Sequence, residues 1–176
     1  MVLKSLFFFA LALVASVSAH TDAWHPLGPA DKNSMISYSL LLPQANTDKL
    51  FEAVNSVSDP DSPFYGDYFT TEKIRDLVRP SDALVNRVSS YISEASDTSK
   101  CKFLGDAFYC KTKIFEVERM FNVTMWNFQN RNARMYAIRS LQDYTVPSRL
   151  RGAVVMINGI SNKLVDFHHN PIVLSQ

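Results

Sequence analysis

What the chain has little of bounds it first. Only two of its 176 residues are cysteine and four are histidine. Two thiols without a histidine beside them make a poor zinc site, because such a site needs four Cys or His ligands. There are five glycines, and none follows a serine. No G-x-S-x-G elbow, phosphate loop or H-E-x-x-H stretch occurs, so no familiar hydrolytic or nucleotide-binding motif is present. Net charge is equally scarce: 18 basic side chains stand against 17 acidic ones, a formal +1. That balance gives no electrostatic reason to expect nucleic acid or an acidic membrane as partner. No repeat, low-complexity tract or long charge run appears, and there is only one long apolar run.

That run opens the chain. Lys4 precedes Leu6 to Ala15, and Val17-Ser18-Ala19 supplies small residues for cleavage. Residues 1–19 therefore read as a secretory signal peptide. A membrane anchor is the weaker reading, since the run falls short of the ~20 residues a bilayer span requires. Removal of the signal takes Lys4 with it and leaves equal numbers of basic and acidic residues. The remainder is long enough for one domain with its own core.

Composition is most distinctive between Val57 and Pro80, VSDPDSPFYGDYFTTEKIRDLVRP. Pro60 and Pro63 fix their own φ and push Asp59 and Ser62 toward extended backbone. Ser58, Asp59 and Asp61 can hydrogen-bond neighbouring backbone, which favours turns. Gly66 permits positive φ after Tyr65. Phe64, Tyr65, Tyr68 and Phe69 supply apolar area that a floating loop has no use for, so a packed, rigid loop is expected. A short helix follows, capped by Thr70 or Thr71, with Ile74, Leu77 and Val78 inward and Pro80 as its stop.

This stretch resembles a known family. Ser58-Asp59-Pro60-x-Ser62-Pro63-x-Tyr65-Gly66-x-Tyr68, followed by Leu77-Val78-Arg79-Pro80-Ser81, is similar to the activation (pro) domain of the sedolisins, the serine-carboxyl peptidases. Within them it is most similar to the tripeptidyl peptidase branch. Trp24-x-x-Leu27-Gly28-x-Ala30 near the start and Tyr144-x-x-Pro147-x-x-Leu150 with Gly159 near the end fit the same pattern. The resemblance spans about Trp24 to Ile160. It implies an α+β ferredoxin-like prodomain, with extra strands and with helices packed on one face of an antiparallel sheet. Residues 20–160 are then the activation domain and residues 161–176 a C-terminal tail or linker.

The residues themselves give a compatible order. Trp24 to Ala30 is an extended leading segment. Residues 35–42 alternate Ile36, Tyr38, Leu40 and Leu42 with Met35, Ser37, Ser39 and Leu41, which is a half-buried strand. Residues 47–57 place Leu50, Phe51, Val54 and Val57 on one helical face. Ser81 caps a helix lined by Leu84, Val85, Val88, Tyr91, Ile92 and Ala95. Thr112 begins another, with Ile114, Val117, Met120 and Phe121 inward. Residues 123–128 and 133–138 form a hairpin, and Val154 to Ile157 a last strand.

Gly105-Asp106 suits a two-residue hairpin turn. Counting outward pairs Cys101 with Cys110 at a non-hydrogen-bonded position, with Cα atoms about 4.5 Å apart. That separation suits a disulfide, and the oxidising compartment favours one. A reactive or metal-binding pair is the alternative. Asn122-Val123-Thr124 is an N-glycosylation sequon. His168-His169 reads either as a solvated pair in a loose tail or as a pH sensor, since free histidine titrates near ~6.5; adjacent side chains diverge too far for a metal site.

The sedolisin Ser, Glu and Asp catalytic set and its calcium site belong to a domain that follows the prodomain, so no catalytic, cofactor or metal residue is assigned here. As it stands the chain is expected not to be an enzyme. The resemblance implies a module that inhibits, and helps fold, a sedolisin-type catalytic domain in cis or in trans. It also implies a secreted protein or one of a lysosomal or acidic vacuole lumen. Two alternatives stay open: the N-terminal piece of a peptidase precursor, and a secreted scaffold that kept the fold.

Overall fold

Alternation over residues 35–42 becomes a strand in which Ile36, Tyr38, Leu40 and Leu42 are buried and the residues between them are not. A period of two leaves no other way to hide all four side chains on one side. The computed structural model describes residues 23–131 and 134–161. The signal peptide, His168, His169 and the tail beyond Ser161 lie outside the described residues.

In chain order the elements are β1 (Trp24–Pro29), β2 (Met35–Leu41), α1 (Thr47–Ser58), α2 (Thr71–Val78), α3 (Asp82–Ala95), β3 (Lys100–Phe103), β4 (Ala107–Lys113), α4 (Ile114–Phe121), β5 (Met125–Asn130), β6 (Met135–Ser140), a 3-10 turn (Ser148–Leu150) and β7 (Met156–Asn158). The strands make two antiparallel sheets, one ordered β1-β5-β6 and one ordered β3-β4-β2-β7. The fold is α+β, a ferredoxin-like prodomain with extra strands.

Helices α3 and α4 contribute Val88, Ile92, Ile114, Val117, Met120 and Phe121 to one buried cluster with Tyr38, Leu40, Phe108 and Ile157 from the four-stranded sheet. Tyr38 and Phe121 meet edge to face, with centroids 5.5 Å apart and planes at 73°. Each such large apolar side chain contributes roughly 1.5–3 kcal/mol by leaving water. The opposite face of that sheet carries no helix residues of this cluster and is open.

Several boundaries differ from the sequence expectation. Thr112 does not begin a helix; it stays in β4 opposite Ile36, and α4 starts at Ile114. The second hairpin lies two residues later, because its connection falls at 131–134, where Arg134 takes a left-handed φ of 50°. The last strand is Met156–Asn158, since Val154 turns back to donate its N–H to the Leu150 carbonyl at 3.0 Å. The leading segment is a full strand on β5. On α1, only Val57 of the expected apolar face is buried; Phe51 is 68% and Val54 50% exposed. Helix α2 likewise buries Val78, while Ile74 is 39% exposed.

Candidate functional site

The stretch from Ser58 to Pro80 is ordered by hydrogen bonds. Asp59 caps α1 and donates its N–H to the Asn55 carbonyl at 3.0 Å. Its Oδ1 accepts from the Asp61 N–H at 3.0 Å, and its carbonyl accepts from the Ser62 N–H at 3.0 Å. Ser62 Oγ accepts from the Phe64 N–H at 3.2 Å and lies 3.2 Å from Ser56 Oγ. Gly66, at φ 79°, donates back to the Val57 carbonyl at 3.0 Å and closes the loop onto the end of α1. Thr70, not Thr71, caps α2, accepting from the Lys73 N–H at 3.2 Å. Pro80 is buried and Arg79 pairs with Asp82 at 3.1 Å.

Burial does not accompany this order. Phe64, Tyr65 and Tyr68 are 58%, 59% and 71% exposed. The expected packing of the loop aromatics is therefore corrected: intrinsic turn chemistry orders the loop, and three aromatic rings are left at the surface. Only Phe69 is half-buried, with Lys73 Nζ 3.7 Å above its ring. Tyr68 and Phe69, together with α1 and α2, border a cavity of about 130 Å³ lined also by Leu50, Ala53, Val54, Val57 and Ile74.

The first hairpin has the expected register. Leu104 donates to the Ala107 carbonyl at 2.8 Å, Phe103 faces Phe108, and Cys101 faces Cys110. The two cysteines form a disulfide with Cα atoms 4.1 Å apart. Asn122 is exposed at the C-cap of α4, in the left-handed region at φ 53°, which asparagine tolerates. Among the described residues no group of three His, Cys, Asp or Glu could hold a metal ion. No described helix is long and apolar enough to cross a membrane.

Two features escaped the sequence reading. The first is Glu116, buried at 2% exposure beside α3. Its carboxylate accepts from Ser96 Oγ at 2.5 Å, Thr98 Oγ1 at 2.5 Å, Thr112 Oγ1, and the Asp97 N–H at 3.2 Å. Burial pushes the carboxyl up, but donation from Ser96, Thr112 and Thr98 outweighs it and holds the group at about 2. The only sequence signal was three hydroxyls and a glutamate spread over the end of α3, the loop after it, β4 and α4. The second feature is the open face of the four-stranded sheet. By alternation from the buried positions, β2 presents Met35, Ser37, Ser39 and Leu41 there. In register beside them β4 presents Ala107, Tyr109, Lys111 and Lys113, and β3 presents Lys100 and Lys102. Met156 and Asn158 of β7 complete it.

Residues 22–163 match the family described as Pro-kumamolisin, activation domain. The chain belongs to that activation-domain family. Among curated proteins the chain is similar to "Tripeptidyl-peptidase 1" of Homo sapiens and of Macaca fascicularis, each 31% identical over 140 residues. The same named protein of Mus musculus is 29% identical over 140 residues. In each case the match covers 78% of this chain and 25% of the relative. The chain thus spans about a quarter of the length of these curated relatives. As an activation domain it carries the fold, the motif loop and the open sheet face described above.

Proposed function

We propose that this activation domain binds a sedolisin-type, tripeptidyl peptidase-like catalytic domain, inhibits it, and assists its folding. The observation that carries the reading is the activation-domain match over residues 22–163. Inhibition of this kind needs no chemistry of its own. By analogy with subtilisin-type prodomains, the open sheet face docks on the enzyme, and residues 161–176 supply the segment that excludes substrate from the cleft. The same contacts serve in cis within a precursor or in trans between separate chains. The domain works in the secretory pathway, toward a secreted or acidic lumenal destination.

Acid releases it. Interfacial carboxylates lose charge toward pH ~4, and histidines such as His168 and His169 gain it below ~6.5. Docking that uses charged carboxylates and neutral histidines is full at neutral pH and weakens as pH drops through those values. The role is tested by adding purified residues 20–176 to an activated tripeptidyl peptidase in a short assay. Stoichiometric inhibition that weakens when residues 161–176 are removed supports it. No inhibition at micromolar concentration rejects it.

A further inference from the structure

The open sheet face is divided by charge. Lys100 and Lys102 on β3 and Lys111 and Lys113 on β4 fill one side of it, and the register sets Lys100 directly opposite Lys111. Like charges so placed repel and weaken a strand pair. None of the four joins an ion pair among the described residues. No Asp or Glu occupies an outward position on any of the four strands. Toward the hairpin turn the face becomes apolar: Ala107, Leu41 and Met156 lie in one row across β4, β2 and β7, Met156 is 40% exposed, and Tyr109 beside that row is 48% exposed.

We propose that this lysine row docks on an acidic surface of the partner peptidase domain, while the adjoining Tyr109 and Met156 pack on an apolar strip beside it. The proposal rests on reading the chain as an activation domain that binds its peptidase. Charge complementarity favours this occupant. In the isolated domain the row is uncompensated and self-repelling, and opposed carboxylates remove that cost on binding. The apolar half decides between partners. A linear polyanion would use only the lysines, whereas a protein surface can use both halves. Opposite charge also steers encounter, so the effect should appear mainly in the association rate.

The test uses the whole chain and an activated tripeptidyl peptidase as probe. The onset of inhibition at pH 7 is followed for wild type, for K100Q/K102Q/K111Q/K113Q, and for the four Lys→Arg changes, at low and high NaCl. The Gln variant should associate about tenfold more slowly at low salt and nearly as fast as wild type at high salt, where screening is strong. The Arg variant should keep the wild-type rate. Circular dichroism melts check folding; should the fourfold variant unfold, K100Q and K102Q, at an exposed edge strand, give the same effect in smaller steps. Equal rates for wild type and Gln variant overturn the lysine assignment but leave the inhibitory role standing. No inhibition by wild type removes both. Heparin binding that the Gln variant loses, with inhibition unchanged, assigns the row to a polyanion and also overturns the proposal.

Discussion

Ser96 and Glu116 are joined by a hydrogen bond of 2.5 Å from Oγ to Oε2, which ties the end of α3 to the first turn of α4. Among the described residues the buried carboxylate joins no ion pair; hydroxyls and a backbone N–H hold it. Its folded value of about 2 lies below the ordinary carboxylate value. The group therefore stabilises the fold fully above the unfolded value of ~4.3, and that contribution disappears as pH falls toward 2.

Glu116→Gln is expected to destabilise the domain at pH 7 by about 1–3 kcal/mol, since an amide places donors against hydroxyls that already donate. Urea unfolding at pH 7 and at pH 2.5 measures it. The gap between wild type and variant should narrow at the lower pH. An undiminished gap would show that the cluster does not depend on the carboxylate's charge.

Two glycines should respond differently to substitution. A Cβ at Gly159 would lie 2.9 Å from the Ser37 carbonyl oxygen, at φ +94°, whereas one at Gly66 meets nothing within 4 Å, at φ +79°. Gly66→Val should cost at least ~1 kcal/mol from backbone strain alone. Gly159→Ala should cost more, because strain and collision with backbone act together. Thermal melts rank the two; the reverse order would refute the steric part, and an unchanged melting temperature for Gly66→Val would refute the strain part.

The Cys101–Cys110 bridge closes a short loop. Cys101→Ser with Cys110→Ser should therefore cost about 2–3 kcal/mol, by constraint of the unfolded chain. Mass spectrometry of a non-reduced digest of the protein should find the linked peptides. Two free thiols would contradict the bridge.

Much of this fold was legible in the chain. Ile36, Tyr38, Leu40 and Leu42 announced β2 by alternation, Ser81 announced the start of α3, and Gly105-Asp106 gave the register that sets Cys101 against Cys110. These are local signals, each decided by backbone geometry within a few residues. The burial of α1 was misjudged because amphipathic spacing marks an apolar face without saying what covers it. Phe51 and Val54 stay open. The aromatics of the motif loop failed for the same reason, since turn chemistry ordered the loop without burying Tyr65 or Tyr68. Glu116 could not be read at all: Ser96, Thr98 and Thr112 reach it only once α3, β4 and α4 are packed. The lysine row was one step beyond the hairpin register, which, carried outward from Cys101 and Cys110, sets Lys100 against Lys111.

In the proposed role, this activation domain holds a sedolisin-type peptidase inactive near neutral pH and lets it go in acid. Its most direct test is a titration of residues 20–176 against one activated tripeptidyl peptidase at pH 7 and at pH 4, read as affinity. Tight binding at pH 7 that weakens at least about tenfold at pH 4, a difference of about 1.4 kcal/mol, is the predicted result. Equal affinity at the two pH values, or no binding at pH 7 at micromolar concentration, would contradict the account.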